Sequence, residues 1–231
     1  MNHNEEKLSE QQSLHIIQQM IQTAKQEQKD DGRGWIIWGW MLFVISLLTY
    51  ANIEFGWYDT AFFWNVFAGI VVLYFLYCLF KIFFIKKSQK VKTYTSDLFD
   101  KLNSGFFIFL ILIIFSINLG VPPGKGFMLL IGLYGFWVLI YGTALNFKPS
   151  VIAAYITWAI AFAGLFIDRF IHPGNLDNLP GDMVTAISLQ RFQWVMLFHA
   201  LAVLCGYIIP GHIAYKEFNR INRKGNIIER V

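Results

Sequence analysis

Between residues 35 and 209 long apolar runs alternate with short polar breaks. Six runs stand out, at about 35–51, 60–85, 103–120, 127–145, 151–170 and 183–209. Each is near the length that crosses a hydrocarbon core about 30 Å thick at 1.5 Å per residue. The pattern predicts an all-α fold, a polytopic membrane helical bundle of six transmembrane helices. The fourth and fifth runs are joined only by Asn146, Phe147, Lys148, Pro149 and Ser150, which forces them into an antiparallel hairpin. Small residues stripe both members: Gly132, Gly135 and Gly142 on one, Ala153, Thr157, Ala161 and Gly164 on the other. Helices associate in lipid by close approach at such residues, because Leu against Leu gains nothing over Leu against an acyl chain. This hairpin is the expected packing core.

Residues 7–28 carry a different pattern. Leu14, Ile17, Ile21 and Ala24 recur at helical spacing, with Ile16 and Met20 beside them and Gln, Glu, Lys and Ser opposite. An N-terminal amphipathic cytoplasmic helix is expected, broken by Asp30-Asp31-Gly32-Arg33-Gly34. Its polar face is not rich in Lys or Arg, which weakens direct attraction to anionic lipid and leaves a helix folded back under its own bundle or docked on a cytoplasmic partner. Residues 1–34 are then expected to form a cytoplasmic tail, 35–209 a six-span domain, and 210–231 a basic cytoplasmic tail that begins where Pro210-Gly211 should end or kink the last span.

Charge sets the expected topology. Lys86, Lys87, Lys90, Lys92 and Lys101 cluster between the second and third runs, and Lys216, Arg220, Arg223, Lys224 and Arg230 crowd the tail. The other side keeps only Lys125, Arg169 and Arg191. Basic loops stay in the cytoplasm, so both termini are expected inside. Trp35, Trp38 and Trp40 open the first span at the depth where indoles favour the interface. The first 34 residues lack a signal-peptide pattern, so the first span is expected to be its own insertion signal.

Composition agrees. The chain is 56% hydrophobic and 15% charged, well below the quarter charged residues of a soluble domain. The net charge of +4 is then a topology signal and not a nucleic-acid signal. Cys78 and Cys205 make no disulfide framework and read as small core residues. P-loop, Rossmann, GxSxG and HExxH patterns are missing, and no catalytic role, cofactor or metal is expected.

A polar set remains in the outer half of the bundle: His199, Asn65, Asn118, Asp168 and Gln193. Polar groups at membrane depth usually face the bundle interior or a wet cavity. Asn65 shares a face with Ala61, Ala68 and Gly69 and is therefore expected to point at packing neighbours. His199 is expected as a neutral imidazole hydrogen-bonded to Asn65, since both groups are costly against hydrocarbon.

Gly34-Trp35 through Trp40, Asn146-Phe147-Lys148-Pro149 and Tyr207-Ile208-Ile209-Pro210-Gly211-His212 resemble a group of uncharacterised bacterial six-span integral membrane proteins. The likeness spans about 34–215. It implies the same six-span topology in a cell inner (plasma) membrane and carries over no activity. The function expected from the residues is a non-catalytic scaffold or regulator that offers residues 7–28 and the basic tail to a cytoplasmic protein. The alternative is a transporter or permease for a small solute or proton that uses the outer polar set. The partners expected are the lipid bilayer, a cytoplasmic protein and a second copy of the chain.

Overall fold

The computed structural model describes residue 14 and residues 32–84, 94–171 and 179–228. Among these, every regular element is a helix. Helix α1 spans Arg33–Phe55 and is closed by Gly56 at φ 64°, whose N–H reaches the Asn52 carbonyl at 2.8 Å. A left-handed residue there satisfies a last-turn carbonyl that would otherwise lack a partner. Helix α2 is Phe62–Phe84 and α3 is Tyr94–Asn118. Pro123 opens α4, Pro123–Ala144, at a position where its missing N–H costs nothing. Asn146, at φ 52°, turns the chain into α5, Lys148–Leu165, which again carries a proline in its first turn. A short α6, Ile167–Ile171, follows.

Helix α7 is Gly181–Val203. Leu204–Ile208 form a π-turn, and the chain continues without interruption as α8, Ile209–Ile228.

Helices α1, α4, α5 and α7, with the π-turn, form the packed core. The α4–α5 hairpin is its most extensive contact and α1 against α7 the next. Helix α2 leans on α1 and α3 on α4, and the described parts of α2 and α3 do not touch each other.

Five helices are long and apolar enough to cross a membrane: Arg33–Phe55, Leu98–Asn118, Pro123–Ala144, Lys148–Leu165 and the continuous Gly181–Arg220. Helix α2 contributes a shorter apolar stretch, Phe62–Tyr74, so five spans rather than six meet that criterion among the described residues.

The hairpin packs through its small residues unevenly. A Cβ on Gly135 would stand 2.6 Å from the Trp158 indole, whose Nε1–H donates to the Gly132 carbonyl at 2.9 Å. Gly135 thus makes room for an aromatic ring. Gly142 lies against Ser150 and Val151, Gly164 against the Met128 thioether. Gly132 has open space where a Cβ would go, so its contribution is its carbonyl and not a close approach. Ala153 and Ala161 are buried, and Thr157 faces Gly206 of the π-turn.

Several expectations need correction. Pro210 does not end the last span. The π-turn just before it shifts bonding so that the Ile209 N–H reaches Leu204, five residues back, and the helix continues past a residue with no N–H. Helix α7 begins ahead of the sixth run, which starts at 183. The helix starts at Gly181 after Pro180, and Asp182 lies in its first turn, where a carboxylate favours the helix dipole. The fifth span stops at Leu165 instead of reaching 170. Trp35 and Trp38 also pack against rings of neighbouring helices. Trp35 rests on Tyr141 and Tyr207 at 4.4 and 5.2 Å, and Trp38 meets Phe67 and Tyr74 edge-on. Lys101 lies within α3, exposed, rather than in a loop. Lys86, Lys87, Lys90, Lys92 and the amphipathic pattern of 7–28, except Leu14, lie outside the described residues.

Candidate functional site

The site forms on the seam between α1 and α7. Gly39, Leu42, Ser46, Thr49 and Asn52 recur at steps of three and four along α1, and all five are buried. They occupy one face, and that face is small or polar where the rest of the helix is apolar. Gly39 permits the close crossing at the other end of the seam from Asn52: a Cβ there would meet Ile208 at 2.8 Å. Ser46 and Thr49 donate back to the carbonyls of Leu42 and Ile45 at 2.6 and 2.8 Å, which satisfies hydroxyls buried in the seam.

His199 of α7 meets this seam and is fully buried. Its Nδ1 lies 2.8 Å from Ser46 Oγ. The single hydroxyl proton of Ser46 already goes to Leu42, so the imidazole is the donor and Ser46 Oγ accepts. That arrangement sets the tautomer. Nδ1 carries the proton, and the lone pair is on Nε2. Nε2 is buried without a hydrogen-bond partner.

Three aromatic rings surround the imidazole. Trp64, Phe127 and Tyr134 stand with centroids 5.4, 5.5 and 5.7 Å from it, each at a steep angle. The Trp64 Nε1–H donates to the Met196 sulfur at 3.3 Å. Met196, one turn before His199 on α7, is also fully buried.

The Asn52 end of the seam is tied twice. Asn52 holds the α1–α2 loop: its Nδ2 donates to the carbonyls of Tyr58 and Asp59 at 3.1 Å each, and its Oδ1 accepts the Tyr58 N–H at 2.8 Å. Gln193, at the edge of the buried class, donates from Nε2 to Glu54 at 2.8 Å and so links α7 to the end of α1.

The structure therefore brings two of the five polar candidates, His199 and Gln193, onto one seam. Asn65 is exposed on α2, with Ala61, Ala68 and Gly69 exposed beside it. The partner of His199 is Ser46 and not Asn65, because α2 turns Trp64 inward and its neighbour outward. Asn118 is exposed and bonds its own helix at the Ile114 carbonyl, 2.8 Å away. Asp168 lies in α6, and its side chain is outside the described set. Sequence reasoning missed Ser46, Thr49 and Asn52. The signal was present as the repeat of Gly39, Leu42, Ser46, Thr49 and Asn52 in an otherwise apolar run.

Chemically the seam is buried and hydrogen-bonded, and the Nε2 of His199 is left in it without a hydrogen-bond partner. No group of three or more His, Cys, Asp or Glu side chains that could hold a metal ion occurs among the described residues. No protein-family model, curated protein or solved structure matches this chain.

Proposed function

We propose that the protein is a multi-pass inner-membrane platform, non-catalytic, that holds its last helix out to a cytoplasmic protein as a scaffold or regulator. The observation that carries this reading is the continuity of Gly181–Val203, the π-turn and Ile209–Ile228. At 1.5 Å per residue that helix is roughly 70 Å long, against a hydrocarbon core of about 30 Å. In an orientation with both termini inside, α8 projects into the cytoplasm. It is amphipathic by register. Lys216, Arg220, Arg223 and Lys224 share one side, and Ala214, Phe218 and Ile221 the other. Its root is firmly held: Gly32 lies against the Gly211 carbonyl, and the Arg33 guanidinium stands 5.6 Å from the Tyr215 ring centre. We also propose a sixth span, α2, since its apolar stretch continues in sequence to residue 85.

The test is site-specific photo-crosslinking in cells. A probe at Lys216 or Arg220 should give one discrete protein adduct, and a probe at Met183 of α7 should not. Absence of an adduct along the whole of α8 would remove the reading. Transport through the outer polar set is the second reading. It rests on His199 and Gln193 alone, because Asn65 and Asn118 are exposed away from the seam.

A further inference from the structure

The geometry points to a binding site for a single soft monovalent metal ion, Cu(I) in chemical class, held between the Nε2 of His199 and the thioether of Met196. Four observations converge on it, and none depends on the role of α8.

First, Nε2 belongs to a fully buried imidazole and has no hydrogen-bond partner, and the tautomer argued from Ser46 leaves its lone pair free. Leaving such an acceptor unpaired is costly unless something takes its lone pair. Second, the other nitrogen is already fixed. A metal-binding histidine typically gives its remaining N–H to an oxygen that sets the ring's tautomer and orientation. Ser46 does this here at 2.8 Å and is itself anchored to the Leu42 carbonyl. Third, Met196 precedes His199 by three residues on α7, the spacing that places two side chains on one helix face. Its sulfur is positioned by the Trp64 Nε1–H at 3.3 Å. A thioether has two lone pairs, so one remains after that hydrogen bond. Fourth, the rings of Trp64, Phe127 and Tyr134 surround the imidazole. Aromatic faces attract a cation, and most strongly a desolvated one.

The ligand chemistry selects the ion. Thioether and imidazole are neutral, soft to borderline donors, and they favour Cu(I) over Zn(II), Mg(II) or Ca(II). Two neutral donors leave a single positive charge, far less costly in a dry interior than two.

The experiment uses the full chain in detergent with Cys78→Ala and Cys205→Ala, since thiols bind the same ions. Ag(I), which is soft and monovalent but does not cycle redox states, is the probe. Bound silver is counted after desalting, and Tm is followed with and without it. One Ag(I) per chain and a raised Tm are expected, with Zn(II) doing neither. His199→Asn keeps an amide near Nδ1 for Ser46 but deletes Nε2, and it should lose Ag(I) binding while remaining folded. Met196→Leu conserves volume and should weaken binding at least tenfold, whereas Met183→Leu, on the exposed start of α7, should not. Ser46→Ala should weaken binding about tenfold through the orientation of the ring. No silver in the parent protein, or equal silver in Met196→Leu and the parent, overturns the site. Should His199→Asn fail to fold, the Met196→Leu result decides alone.

Discussion

Ser46 Oγ and His199 Nδ1 lie 2.8 Å apart and join the first and last long helices across 153 residues of chain. Each group answers a need of the other. The imidazole N–H is fully buried, and the serine oxygen has a lone pair left after its own proton goes to Leu42. Removing either partner leaves a buried polar atom unpaired. Ser46→Ala and His199→Leu should each lower stability by about 1–2 kcal/mol, and His199→Asn should be milder because its amide can reach the serine. Thermal unfolding in detergent ranks the three. Equal losses for Asn and Leu at position 199 would contradict the hydrogen bond.

Asn52 makes three hydrogen bonds to the loop that follows α1. Asn52→Ala should free that loop without unfolding the bundle. Faster hydrogen exchange at Tyr58, with the α4–α5 hairpin still protected, is the expected result. Global loss of protection would mean that Asn52 acts on the core as a whole.

Gly135 is the point where the hairpin admits the Trp158 indole. Gly135→Leu should displace that ring, break its bond to the Gly132 carbonyl and lower Tm markedly, because close packing in lipid has no hydrophobic substitute. Gly132→Ala, where space is open, serves as the contrast and should be nearly silent.

Topology is tested by cysteine labelling in intact cells. A cysteine placed at Asn178 should react with an impermeant reagent from outside, and one at Gln89 should not. Labelling at Gln89 would reverse the orientation proposed for α8.

The helices themselves were legible in the residues. Runs near twenty apolar positions, interrupted by Pro, Gly and Asn, leave few alternatives once backbone groups must be satisfied without water. The α4–α5 hairpin followed from the short link between its runs. Residue chemistry located the link at 146–150, whereas α4 starts at Pro123, four residues ahead of the apolar run that announced it.

What only the tertiary structure decided is which side of each helix turns inward. In a membrane, the face against lipid and the face against protein are equally apolar, so hydropathy does not separate them. Asn65 and Ser46 are both small polar residues in apolar runs, yet Ser46 is buried and Asn65 exposed. The rotation of α2 is set by Trp64 packing on Phe127 at 4.7 Å, a contact between residues far apart in the chain. Pro210 makes the same point along the helix axis. Proline forbids one hydrogen bond, but whether the chain stops or bypasses it depends on neighbours. Here Gly39, Gly206 and Gly211 give α1 and α5 room to pack around the π-turn and the start of α8, and the helix runs on.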